Sequence, residues 1–399
     1  MKNMKGALSW PFLRLYILVL LYFSANAILN VIIPLQGDER GASNTTIGLV
    51  MGAYLFTTMF FRPWAGSMIS RYGPIKILRV ILVTNGIALI LYAVTDFNVY
   101  VIARILQGVS TAFFSMALQI GIIDALPEKE RSQGISLYSL FSYIPGIVGP
   151  LFALMLWETG DDRYFGAVMI SIALLTGIVG YTARMTKDTD SAKPQMKEQV
   201  NEPGTRMLGS FHHLFTNPHL FKCSVLMLVA SVVFGSFATF IPLYSDQITY
   251  GNAAVFLMIQ AATVVVSRLV LRKKIPSDGK WHPMFIAGTL LLLTLAALFV
   301  SLSVTIGAVL FYISALFIGI AQAILYPTLT TYLTFVLPEA HRNMLIGLFI
   351  ATADLGVSLG GVVMGPVADV SSYSLMYMIC AGLGAALIVF ASIKRLRTA

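Results

Sequence analysis

VYVIARILQGVSTAFFSMALQIGIIDALP, residues 99–127, is a single apolar run with Arg104, Gln107, Gly108, Gln119 and Asp124 set into it. As a helix it is long enough to cross about 30 Å of hydrocarbon. An arginine inside such a run costs roughly 3 to more than 10 kcal/mol, so it normally faces a bundle interior or an aqueous cavity and marks a substrate or ion pathway. The blander reading is a side chain snorkelling to the helix end. Against it, Arg104 lies six residues past the polar turn Thr95–Asn98, roughly 9 Å along the axis. Gln107 and Gly108 follow three and four residues later and share its face. Function is expected on that face.

The rest of the chain has the same character. Of its 399 residues 57% are hydrophobic and only 11% charged, well short of the ~25% charged residues of soluble domains. The formal net charge of +9 raises the idea of a nucleic-acid partner. The basic residues fall in short loops between apolar runs, however, which is the signature of a membrane protein and excludes that partner. Cys223 and Cys380 lie in different apolar segments and are read as packing residues. Lys2, Lys5 and the run to Ala25-Asn26-Ala27 imitate a signal peptide. Apolar sequence continues through Leu35 without a polar release, so the segment is read as an uncleaved first helix.

Twelve runs are long enough to span: about 13–35, 45–66, 74–94, 98–123, 132–157, 163–184, 219–244, 251–272, 282–303, 305–336, 342–367 and 371–394. The fold class expected is an all-α integral membrane protein of two six-helix bundles, residues 1–184 and 219–399. The polar, proline-containing stretch 185–218 reads as a cytoplasmic linker. Sorting charges by loop tests the count. With the N-terminus cytoplasmic, the outer loops hold Arg40 and Arg163 as their only basic residues, with Asp38, Glu39, Asp96, Glu158, Asp161, Asp162, Asp246 and Asp369. A miscount by one helix scrambles that pattern, so both termini are expected in the cytoplasm and the protein in the cell membrane.

The two halves repeat. Ala125-Leu-Pro-Glu-Lys-Glu-Arg131 returns as Val336-Leu-Pro-Glu-Ala-His-Arg342, and Gly108 maps to Gly319, both at an offset of 211. Ile33-Pro34-Leu35 returns as Ile241-Pro242-Leu243 at 208, and Arg62 and Gly73 match Arg268 and Gly279 at 206. Repeats of this kind place a binding site near the bilayer midplane.

Here the chain resembles the major facilitator superfamily over its full length. Gly66-Ser-Met-Ile-Ser-Arg71-Tyr-Gly73 looks like the family's cytoplasmic loop between helices 2 and 3. Ser70 stands where the family usually has aspartate, and Pro74 and Ile75 displace its basic residues to Lys76 and Arg79. Arg104-Ile-Leu-Gln107-Gly108 matches the helix 4 motif, which the resemblance associates with proton coupling. Gly146-Ile-Val-Gly149-Pro150 looks like the antiporter motif without the glycine pair beyond the proline. A closer likeness is to the family's opine-metallophore exporters. It rests on Met4-Lys-Gly-Ala-Leu-Ser-Trp-Pro11, Ala112-Phe-Phe-Ser-Met116, Gly121-Ile-Ile-Asp-Ala-Leu-Pro-Glu128, Pro276-Ser-Asp-Gly279 with Trp281-His-Pro283, and Arg342-Asn-Met-Leu345 leading to Ala353-Asp-Leu-Gly356.

Asp354 is the second intramembrane charge, twelve residues past Arg342 and so about 18 Å into its helix. A carboxylate there finds a cation or takes up a proton, because desolvation disfavours its charge. A structural pair with a hydroxyl or backbone group is the bland alternative. Gly356, Gly360, Gly361 and Gly365 follow it and suit close helix packing. Asn26 and Asn30 share a face of helix 1 and either bridge helices or line the cavity opposite Arg104. Gln322, Tyr326 and Pro327 mark a kinked, polar-faced helix 10, with Tyr138 and Tyr312 as weaker candidates. Asp124, Glu128, Glu130 and Arg131 are expected to meet Arg62, Arg71 and Lys76 in an inner gate, or else to be solvated loop charges.

The histidines at 212, 213, 219, 282 and 341 lie at the linker or at helix ends, and no metal site is expected of them. The sequence offers neither a serine–histidine–acid spacing nor a P-loop, so no cofactor and no enzymatic turnover are expected. The resulting expectation is a proton-coupled, alternating-access exporter of a small metallophore, acting as a monomer in the lipid bilayer. Its halves would rock about a central cavity that Arg104 and Asp354 approach from opposite sides. A drug or sugar-efflux antiporter would share the scaffold. A non-transporting receptor or a membrane acyltransferase would share only the hydropathy.

Overall fold

The computed structural model describes residues 6–183, 217–271, 274–276, 278–338 and 342–393, apart from the side chains of Ser70, Glu128, Lys129, Ser132 and Asn343. The linker expected at 185–218 lies outside these residues except for Asn217 and Pro218, as do His212, His213, His341 and the Glu128 side chain. Among the described residues there are twelve long helices, each apolar enough to cross a membrane, a few short 3-10 turns and no strand. The helices are α1 (Trp10–Glu39), α2 (Asn44–Tyr72), α3 (Pro74–Val94), α4 (Tyr100–Ala125), α5 (Glu128–Glu158) and α6 (Asp162–Thr182). After the linker come α7 (Pro218–Tyr244), α8 (Ala253–Leu271), α9 (Pro283–Ile306), α10 (Ala308–Val336), α11 (Arg342–Val370) and α12 (Tyr373–Ser392).

Local chemistry starts and stops these helices. Asn217 caps α7 by accepting from the His219 and Leu220 N–H groups, with Pro218 at the first helical position. Ser372 caps α12 through Leu375 N–H, and Asp161 caps α6 through Arg163 N–H. The Arg163 guanidinium also holds the Asp161 carboxyl below the usual carboxylate range, and His282 does the same for Asp278. Pro34, Pro242 and Pro327 sit inside continuous helices, as do Pro63, Pro145, Pro150 and Pro366.

One expected boundary is displaced. The sequence reading ended helix 9 near residue 303 and began helix 10 at 305. Instead α9 runs to Ile306 and α10 starts at Ala308, with Gly307 between them at φ 112°. Only glycine adopts that conformation readily, and it turns the chain in a single residue.

By contacts the chain gathers into two compact units, Met1–Leu29 with Thr57–Gly204, and Asn30–Phe56 with Thr205–Ala399. The first holds α3 packed on α4 and α6 around a cluster that includes Tyr16, Tyr22, Leu78, Phe114 and Leu118. In the second, α11 packs on α7 and α12 on α9, while α10 joins α8 and α9. Buried Lys222 closes that unit at one end, donating to the carbonyls of Ala391 (3.1 Å) and Ile393 (2.9 Å) at the end of α12 and lying 4.4 Å from the Trp281 ring.

The repeat read from sequence has a structural counterpart in each unit. Thr58 of α2 donates to the Gly108 carbonyl of α4 at 3.1 Å. Thr263 of α8 lies against Gly319 of α10, where an added Cβ would come within 2.8 Å of the Thr263 Cβ.

Candidate functional site

Arg104 is 0% exposed, so it does not snorkel. Its Nη1 donates to Asn26 Oδ1 of α1 at 3.1 Å and to Gln107 Oε1, one turn along α4, at 3.4 Å. The Tyr92 hydroxyl of α3 donates to the same Gln107 oxygen at 3.2 Å, and Tyr100 OH donates to the Tyr92 carbonyl at 3.2 Å. Three helices therefore fix the guanidinium through two amides. Gln107 and Tyr92 are each 1% exposed, so these polar atoms need protein partners at this depth. One turn away along α1 and α4, Tyr22 OH and Thr111 Oγ1 share a hydrogen bond of 2.8 Å, and the Tyr22 ring stacks on Phe114 at 3.8 Å. This packing holds α1 and α4 at the spacing the Arg104–Asn26 bond requires. Asn30, one turn beyond Asn26, is half-buried and belongs by its contacts to the second unit.

In the second unit Asp354 sits half-buried in mid-α11. Gly356 and Gly360 seat this helix on α7, where added Cβ atoms would come within 2.3 Å of the Leu228 carbonyl and 2.5 Å of the Val232 carbonyl. Tyr326 of α10 stacks on Phe349 of α11 with ring centroids 5.9 Å apart. Gln322 accepts from Gln260 Nε2 of α8 at 3.1 Å. Tyr138 is buried in the apolar cluster of the first unit, while Tyr312 donates to the Tyr250 carbonyl at a helix end.

A model described as Major Facilitator Superfamily matches residues 15–314 and 280–399. The chain belongs to the major facilitator superfamily. It is therefore a multi-pass membrane transporter and not an enzyme. It is 52% identical over 392 residues to the staphylopine export protein of Staphylococcus aureus, covering 98% of each chain. Multidrug resistance protein 2 of Bacillus subtilis is 22% identical over 73% of this chain and 72% of that one. Among solved structures, the nucleoside transporter NupG superposes with a TM-score of 0.72 at 17% identity, covering 96% and 99% of the two chains. The D-xylose-proton symporter does so at 0.70 and 15%, covering 96% of each. At those identities the likeness extends to the fold alone.

The superfamily motifs can be placed residue by residue. Gly73 takes φ 85° between α2 and α3, and Gly66 faces Met116 of α4, whose terminal methyl would lie 3.3 Å from an added Cβ. Arg71 lies 5.3 Å from the Tyr72 ring, Asp124 is exposed, and Arg62 is half-buried. Arg131 donates to the Leu126 carbonyl at 3.2 Å, and Glu130 accepts from Ala7 N–H at 2.7 Å, tethering the N-terminal turn to α5. In the glycine–proline motif of α5, Gly149 brings the helix onto Ala27, where an added Cβ would lie 2.6 Å from the Ala27 Cβ; Pro150 is buried and Gly146 half-buried. The motif thus sets α5 against the residue next to Asn26. Sequence reasoning missed Tyr92 and Gln260, since neither lies within helical spacing of a partner. The one signal each carried was its polarity inside an apolar run.

Proposed function

We propose that this chain exports a nicotianamine-like opine metallophore of the staphylopine type in exchange for protons, by alternating access. The observation that carries the substrate is the 52% identity to the staphylopine export protein over 98% of both chains. A substrate of that class carries several carboxylates and amines. Arg104 has the planar fork that clamps a carboxylate with two parallel hydrogen bonds, and Asn26 and Gln107 hold it in place. Asp354 supplies the opposite charge, pairing an amine or taking up a proton. Asn30, Gln322, Tyr326 and Tyr138 are further substrate contacts in this reading. Arg62, Gly66, Arg71, Gly73, Asp124, Glu128 and Arg131 form the inner gate. The bundles 1–184 and 219–399 work as one monomer joined by a cytoplasmic linker, with both termini in the cytoplasm.

Mass spectrometry of metallophore in cells and medium tests the proposal, comparing a deletion strain with one carrying this chain. Accumulation inside the deletion strain and secretion on complementation are expected. Secretion that does not depend on the chain would overturn the substrate. Resistance to unrelated drugs would then favour the second reading, an efflux antiporter, to which the 22% relation to Multidrug resistance protein 2 points.

A further inference from the structure

Asp369 lies in the last turn of α11, where the carbonyls of its own helix present negative charge and disfavour a carboxylate. Its oxygens point instead at the start of α2. They accept from Asn44 N–H at 2.8 Å, Thr45 N–H at 2.9 Å and Thr45 Oγ1 at 2.5 Å. Tyr373 OH of α12 adds a bond of 2.6 Å to Asn44 Oδ1.

The first N–H groups of any helix lack partners within it. In α2 the helix's own cap, Ser43 Oγ, satisfies Thr46 N–H at 3.2 Å. The two donors before it are satisfied by a residue more than three hundred positions away in sequence. Below this cap, α2 and α11 meet through small residues. An added Cβ at Gly48 would come within 2.1 Å of the Gly361 carbonyl, and one at Gly365 within 2.6 Å of the Asn44 carbonyl. Ser358 Oγ donates to the Gly52 carbonyl at 2.8 Å.

Small residues dominate the face below the cap, with the Ser358 hydroxyl as a described polar contact there, while four described hydrogen bonds to α2 gather at its first turn. The cap is exposed to solvent, so water can take over the Asn44 and Thr45 donors when the carboxylate withdraws. Moreover, residues 44–56 of α2 keep company with the second unit, while residues 57–72 belong to the first. The carboxylate therefore grips the part of α2 that clusters with the second unit, while the rest of the same helix clusters with the first.

We propose that Asp369 is a transport-cycle latch: it holds the start of α2 against α11, and its release is required for the transporter to open at the face carrying the α1–α2 turn. The inference builds on the alternating-access part of the proposed function but not on its substrate.

The test uses the full-length protein in detergent, without substrate, and follows maleimide labelling of a reporter cysteine. Val50→Cys places it in α2, where the side chain is 4% exposed; the native Cys223 and Cys380 are buried and give the background. Asp369→Asn replaces an acceptor oxygen by an amide that turns its own N–H groups toward the α2 donors. It should accelerate labelling about tenfold or more, the scale of one lost hydrogen bond to a charged group. Thr45→Val, which removes one bond and leaves the backbone cap, should accelerate it a few-fold, and it carries the test if Asp369→Asn fails to fold. Leu118→Cys, 0% exposed in the first unit's core, must stay as slow in the latch variants as in their parent. Labelling of Val50→Cys within twofold of the parent in both variants would overturn the latch. So would equal acceleration at Leu118→Cys, which reports general loosening. Neither result depends on what is exported, so failure of the latch and failure of the metallophore reading are distinguishable.

Discussion

A single guanidinium sets the demands on the first unit. Arg104 is buried, and its described hydrogen bonds run to the amide oxygens of Asn26 and Gln107. Lysine would keep the charge and lose the planar fork. Arg104→Lys should therefore lower the export rate by about tenfold or more, since one charge-assisted bond is worth ~1.5–3 kcal/mol. Asp354→Asn separates the other role. An amide neither gains nor loses a proton, so export by this variant should lack the proton-gradient dependence proposed for the parent. Both are measured as metallophore efflux from loaded vesicles at set pH on each side. Wild-type rates with lysine, or an unchanged gradient dependence with asparagine, would remove the residue concerned from the mechanism. At this scale the sequence was partly legible. Arg104, Gln107 and Gly108 follow from spacing along one helix. Asn26 was legible only as a residue on a face, because its bond to Arg104 spans 78 positions. Tyr92 was legible only as a polar residue in an apolar run, because its role depends on how α3 lies on α4.

At the scale of the element, glycine decides where helices touch and where they end. α11 approaches α7 so closely at Gly356 that a methyl group would meet backbone, which cannot move aside as a side chain can. Gly356→Ala should cost about 1–3 kcal/mol and lower the thermal midpoint of the purified protein. Gly288 of α9 has nothing within 4 Å of an added Cβ, so Gly288→Ala should be neutral or stabilising by up to ~1 kcal/mol through helix propensity. Melting of the two variants side by side checks the pair, and equal midpoints would show that α11 shifts freely on α7. The misplaced boundary between α9 and α10 has the same origin. The boundary expected between 303 and 305 falls among hydroxyl residues, yet Ser303 and Thr305 return their hydroxyls to the carbonyls of Val300 and Leu302 at 2.6 and 2.9 Å. A hydroxyl satisfied by its own helix does not end it. The end waits for Gly307.

For the whole molecule, twelve spans and an internal repeat were legible because lipid imposes length and apolarity on every crossing helix. The partnership of residues 30–56 with the second unit was not, since nothing in local composition tells α2 which neighbour will complete its first turn. That partnership makes a prediction about cutting the chain. Fragments 1–184 and 217–399 follow the expected bundles 1–184 and 219–399, the second extended to keep the Asn217 cap and Pro218, but that fragment alone lacks the α2 start on which Gly361, Gly365 and Asp369 pack. Expressed alone, it should melt below the intact protein and bury fewer of its small-residue faces. Co-expressed, the fragments should copurify and restore the midpoint, because binding to the folded state stabilises it by mass action. The Asp369→Asn substitution in fragment 217–399 should then weaken copurification more than Gly288→Ala does, since only the former touches the α2 start. If fragment 217–399 melts at the intact protein's temperature without its partner, the contacts of α2 with α11 contribute nothing to that unit, and its stability resides in α7 to α12 alone.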